Sequence, residues 1–172
     1  MTLEIDDAGV GDLLHGMVVG AYRLETDEFF YDMVDVEFFQ PPLFHNKAYL
    51  IQTSAIVKQL VERMKILDGE QIVICGSFVF ERAIRDLEEK YGTDRVIVSK
   101  ITGNAQMLVE TAYQDELRNL GYVPVDEREK KRAKSFFHML QWLKEEPSRL
   151  RFAKTGWPRL RRYVNPRKGA SG

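Results

Sequence analysis

Hydrophobic and polar positions change rhythm along this chain. Up to residue 39 the apolar residues come in short runs. Residues 2 to 6 and 16 to 23 read as strands joined by a turn at Gly9 and Gly11, and EFFYDMVDVEFF (28 to 39) is a third run that alternates only in part. From Asn46 to Leu67 the repeat lengthens. Leu50, Ile51, Ile56, Val57, Leu60, Val61 and Met64 recur near 3.6 residues, which predicts a long amphipathic helix ended by Asp68-Gly69. Strand-like and helical stretches then alternate: QIVICG (71 to 76), a helix over 79 to 92 closed by Gly92, DRVIVSK (94 to 100), and a helix over 104 to 121 with Asn104 as cap and Gly121 as stop. A basic amphipathic helix follows over 128 to 146, and Pro147, Pro158 and Pro166 restrict the remaining chain to short elements.

The order β-β-β-α-β-α-β-α predicts an α/β protein with a mixed five-stranded sheet, antiparallel at its start and parallel later, flanked by helices. Residues 1–125 form this α/β domain in our reading, and residues 126–172 a helical basic extension whose last stretch, KGASG, is expected to be disordered. At 172 residues there is room for one compact domain with a real core.

Charge changes this picture. The net charge of −1 conceals a division: residues 128 to 172 hold 14 Lys/Arg against 3 Asp/Glu, so an acidic body carries a basic extension. Such asymmetry fits either a tail that clamps a polyanion or an intramolecular charge match. No apolar stretch approaches the ~20 residues of a membrane span, and the acidic start has no signal-peptide pattern, so a cytoplasmic monomer is expected. Cys75, the single cysteine, lies in an apolar run and reads as a buried reduced thiol. His15, His45 and His138 have no ligand spacing.

The chemistry centres on Asp6 and Asp7. Consecutive strand residues point to opposite faces, but where a strand ends both side chains can reach one crevice. Two carboxylates within ~5 Å raise one another's pKa unless a cation neutralises them, and a hard divalent ion is the natural one. The alternative is a turn in which Asp7 accepts from backbone N–H groups near Gly9 while Asp6 is solvated.

IDDAGVGDLLHGMVVGAYR resembles the opening of type 2 ribonuclease H (ribonuclease HII), whose pattern is roughly I-D-E-A-G-R-G-x-x-x-G-x-V-V-x-A; Asp7 stands where the family has Glu, and four residues instead of three separate Gly11 from Gly16. Further along, HNKAYL aligns Lys47 with the lysine of D-S-K, AYQDEL aligns Asp115 with a metal-binding aspartate, LGYVPVDE gives Tyr122 the place of a sugar-stacking tyrosine, and FAKTGWPRL resembles the closing F-V-R-x-S-W-x-x-L. The resemblance implies a ribonuclease H-like fold and a metal-dependent endonuclease acting on RNA–DNA hybrid or ribonucleotide-containing duplex. Mg²⁺ or Mn²⁺ would be held by Asp6, Asp7 and Asp115, the catalytic set. On the helix, Glu110 lies about 140° from Asp115, so Asp115 alone is expected to be its ligand. Without the resemblance, Asp115 reads as an exposed charge near Arg118. The nucleic acid would be positioned by Gly9, Val10, Gly11, Lys47, Tyr122, Lys154 and Arg159.

Two positions depart from the family. Val10 replaces the arginine of G-R-G, and Cys75, Gly76 and Ser77 stand where the family has an aspartate at the end of the fourth strand. They support an alternative: a nucleic-acid-binding module on the same fold, with impaired catalysis. In the extension, Arg149, Arg151, Lys154, Arg159, Arg161, Arg162, Arg167 and Lys168 are interleaved with Phe152, Trp157 and Tyr163, a composition suited to phosphates and stacking; the charges read as phosphate contacts, the aromatics rather as anchors to the body. The stripe of Ala133, Phe136, Phe137, Leu140 and Leu143 is expected to be core.

Overall fold

The computed structural model describes residues 1–164, apart from the side chains of Arg161 and Val164; Arg167, Lys168 and the closing KGASG lie outside the described residues. Five strands, β1 (Thr2–Ala8), β2 (Met17–Arg23), β3 (Glu28–Val34), β4 (Gln71–Ile74) and β5 (Val96–Val98), form one sheet in the order β3-β2-β1-β4-β5. β1, β2 and β3 pair antiparallel, while β1, β4 and β5 pair parallel. The expected mixed sheet is therefore present, with β1 at its centre.

Helices α1 (Ala48–Met64) and α2 (Glu81–Tyr91) cover one face. There Ile56, Val57, Leu60 and Val61 pack with Leu3, Ile5, Val19 and Ile72 in the larger core cluster. Helices α3 (Asn104–Asn119) and α4 (Arg132–Glu145) serve the other face, where Val109, Tyr113, Phe136 and Leu140 join Ala8 and Val18 in a second cluster. The short α5 (Pro158–Val164) contributes Leu160 to it. Among the described residues no helix is long and apolar enough to cross a membrane.

Several boundaries differ from the sequence reading. The third run splits into β3 and a 3₁₀ turn over Val36–Phe39, with Phe39 fully buried and Glu37 exposed, so its second half follows a helical period. Asn104 does not cap α3; Gly103 precedes the helix with φ of 74°, and the Asn104 side chain donates to the Tyr22 hydroxyl at 3.2 Å. The basic helix begins at Arg132, four residues late, because Arg128 is drawn into the interior and Glu127 takes a left-handed φ of 52°. Within α4, Phe136, Leu140 and Leu143 are buried as expected; Phe137 and Ala133 are exposed and Met139 is buried instead.

The extension is stitched to the body by backbone. His15 N–H donates to Phe152 O at 2.6 Å, Lys154 N–H to Leu13 O at 2.8 Å, and Gly156 N–H to Phe39 O at 2.9 Å. Trp157 anchors it to the body, its ring 5.0 Å from that of Phe44, whereas Phe152 lies 6.3 Å from Trp142 of α4, within the extension itself.

The glycine turn after β1 is shaped by contact. Gly9 has φ of 95°, and a Cβ built on it would lie 2.3 Å from the Tyr113 ring. Gly9→Ala therefore combines backbone strain with a steric clash, and we expect it to lower unfolding free energy by about 2–4 kcal/mol in urea titration.

Candidate functional site

The central position of β1 determines what surrounds its acidic end. Asp6 pairs with Gly20 and Asp7 with Val19 on the β2 side, whereas the ladder to β4 stops at Ile5 and Ile74. One step further the Cys75 N–H still donates to Ile5 O at 3.0 Å, which sets Cys75 beside Asp6. Asp6 and Asp7 leave the strand on opposite faces. Because β1 outruns β4, their side chains meet beyond the last ladder rung: a carboxylate oxygen of each and Cys75 Sγ all lie within 4.8 Å of one another.

Burial pushes both carboxyls up, Asp6 to about 6 and Asp7 to about 7. Asp7 is raised further by the charge of Asp6 and then of Glu110, while Arg132 opposes these through space and the Ser77 hydroxyl donates to it. Asp6 accepts from the Asp7 N–H and the Cys75 thiol. Burial, with the two carboxylates adding to it, pushes that thiol up to about 11, so it is protonated at neutral pH and acts as a donor.

Asp115 does not reach this pair. Its side chain is 61% exposed and bonded to Arg118 at 3.0 Å, as the reading without the resemblance had it. The helix carboxylate that Asp6 and Asp7 feel is Glu110, half-buried and itself raised by burial. Glu110 and Asp115 flank the buried α3 stripe on opposite sides. The helical period reveals both flanks but not which one faces the end of β1, so the sequence offered no signal for Glu110.

Glu110 is held by a network. The buried Arg128 guanidinium donates to both Glu110 and Asp12 and lies 4.6 Å above the Tyr113 ring. Tyr113 in turn donates to Leu14 O at 2.9 Å. The turn, α3 and the segment before α4 are thus locked together.

The residues expected to position nucleic acid divide into two groups. Gly11, Lys47 and Arg159 are exposed. Gly9 is buried under Tyr113, and Val10 packs partly against the α1-side core. Tyr122 is fully buried and bonds His138 Nδ1 at 2.7 Å, so it has no free face for a sugar. Lys154 is also fully buried; its Nζ donates to Leu14 O at 2.9 Å and burial pulls its pKa down to about 7, so in this structure it holds the turn. The sequence reading has both facing nucleic acid, whereas the structure turns both inward: Tyr122 packs against His138 and Trp142 of α4, and Lys154 lies on the backbone of the turn. Compared with known proteins, the chain matches no protein-family model and no curated protein.

Two outcomes follow from these charges. Raised carboxyls bind extra protons in the folded state, so their contribution is full below pH 3.8 and is lost as pH rises through about 6 to 7. Asp7→Asn should remove most of that loss, raising the metal-free Tm at pH 7.5 by about 4–8 °C for on the order of 2 kcal/mol, with little change at pH 4, read by scanning calorimetry. Lys154 behaves oppositely: its lowered pKa makes stability fall as pH drops from 10.5 towards about 7. Lys154→Met should then be more stable than wild type at pH 6 and show no such gain at pH 10.5 in the same measurement.

Proposed function

We propose that the chain is a divergent ribonuclease HII-like, metal-dependent phosphodiesterase with a ribonuclease H-like fold, acting on RNA–DNA hybrid or ribonucleotide-containing duplex. One observation carries this reading: two carboxylates, within 4.8 Å of each other through their oxygens, at the carboxyl end of the central strand of a sheet ordered β3-β2-β1-β4-β5. The glycine turn that follows, resembling that of the type 2 enzymes, supports it.

The donor set suits Mg²⁺ or Mn²⁺. Such ions take oxygen ligands and usually need only one or two protein carboxylates, the remaining positions going to water and substrate phosphate. Asp6 and Asp7 would hold the ion, whose charge would offset the burial, and for Asp7 the neighbouring Asp6, that raise both carboxyls' affinity for protons. When bound, a divalent ion supplies charge neutralisation and activation of water for phosphodiester cleavage. The protein's own part is to keep the pair together: the Cys75 thiol and the Asp7 N–H orient Asp6, the Ser77 hydroxyl orients Asp7, and Glu110, anchored by Arg128, adds negative potential that favours a cation.

The protonated thiol of Cys75 favours a second reading. Where the type 2 family has a carboxylate, this chain has a neutral donor, which weakens two-metal chemistry and suits a module that binds duplex with little or no cutting.

Cleavage of labelled RNA–DNA hybrid and of duplex with a single ribonucleotide decides between them. The enzymatic reading expects hydrolysis with Mg²⁺ or Mn²⁺, none in chelator, and a loss of roughly 10²-fold or more in Asp6→Asn and Asp7→Asn. Asp115→Asn should retain near wild-type activity. Binding without hydrolysis would establish the second reading instead.

A further inference from the structure

Two guanidiniums bracket the glycine turn. Arg132, in the first turn of α4, is exposed, and its Nη1 lies 3.7 Å from where a Cβ on Gly11 would stand; nothing else comes within 4 Å of that position. Arg159, in α5, is exposed with its guanidinium 4.4 Å over the Phe136 ring. Phe136 is one helical turn from Arg132 on the same helix, so α4 fixes the spacing of the two cations.

Each arginine borders a different hollow. Arg132 lines a cleft of about 570 Å³ together with Glu110, Gln106 and Gln114. Arg159 lines one of about 200 Å³ together with Gly11, Leu13, Phe136 and Trp157. Exposed Gly11 lines the second hollow and stands beside Arg132, and with no side chain it leaves room for a ligand there.

Their place beside the turn, rather than the want of an ion pair, which exposed Lys134, Lys144, Arg151 and Arg162 share, separates these cations from the rest of the extension. Arg128 is consumed by Asp12 and Glu110, Lys130 and Lys131 by Glu127, and Arg149 by Glu145 and Glu146. Lys154 is buried. None of the ion pairs among the described residues involves Arg132 or Arg159. Two exposed forks beside the turn, of which Arg132 feels the charge of Asp7 only through space, leave their N–H groups open to an anion. A guanidinium fork matches the oxygens of a phosphodiester in two-point contact.

We infer that Arg132 and Arg159 clamp phosphates of one nucleic-acid strand across Gly11 and so register its backbone against Asp6 and Asp7. The substrate class rests on the reading above, but the clamp does not require that the strand be cut. Both arginines are positioning residues.

The test is binding of fluorescent RNA–DNA hybrid to the full chain in chelator, followed by anisotropy from 50 to 200 mM salt, alongside the cleavage assay. Each phosphate contact adds about 0.9 to the slope of log affinity against log salt. Arg132→Gln and Arg159→Gln should each flatten the slope by about 0.9 and the double variant by about 1.8, while Arg118→Gln, also exposed but paired with Asp115, leaves it unchanged. Arg132→Lys should restore the slope while binding several-fold more weakly, because charge returns without the fork. Circular dichroism melts of the variants control for folding. Wild-type slopes in the double variant overturn the clamp, as does displacement of the duplex by a mononucleotide at concentrations where inorganic phosphate has no effect, since that marks a nucleotide pocket. Arginine-dependent binding without cleavage leaves the clamp standing and removes the hydrolytic reading. Cleavage with unchanged slopes does the reverse.

Discussion

The buried guanidinium of Arg128 is the constraint on which the arrangement of the site depends. An unpaired cation at that depth would be destabilising by several kcal/mol, on the order of 3–5, and only the two carboxylates and the ring around it make its burial tolerable. Meeting them dictates the chain path. Asp12 must hold the glycine turn in place, Glu110 must face the end of β1, and Arg128 must turn inward before a helix can start. The late start of α4 is the reason Arg132 arrives beside Gly11.

The same network redistributes charge. With Asp12 and Glu110 engaged, the uncompensated negative charge near the turn is concentrated on Asp6 and Asp7, where burial has already made ionisation unfavourable. Nearby, Lys154 is kept on an internal carbonyl, and its low proton affinity lets a residue that looks like a surface cation serve as an internal tie. The division between an acidic body and a basic extension is thus met in two ways at once: part of the extension's charge is spent inside the fold, and part stays exposed around the turn.

Legibility in the sequence followed the range of the interactions involved. Element order, the mixed sheet and the long helix from residue 48 were readable because burial on one face imposes a period on neighbouring residues. The pairing of Asp6 with Asp7 was readable too, being a property of one strand end. The resemblance points to Asp115 rather than Glu110, and the helical period does not say which flank of the buried stripe faces the end of β1; Tyr122 and Lys154 looked available because nothing local says that residues 122 and 154 turn inward. Val10 marked a missing arginine in the turn, while the guanidinium beside that turn belongs to Arg132, more than a hundred residues away.

By itself, then, the sequence determined the alternation of strands and helices, the antiparallel start and parallel continuation of the sheet, and two adjacent carboxylates before a glycine turn, since each is written in residues close together along the chain. Tertiary structure alone decided which helix carboxylate faces that pair, that a thiol donates to it, and which basic residues of the extension reach the surface around the turn. Those outcomes come from packing α3 and α4 against the sheet, where the penalty of burying Arg128 unpaired selects one arrangement among several that the local pattern permits equally.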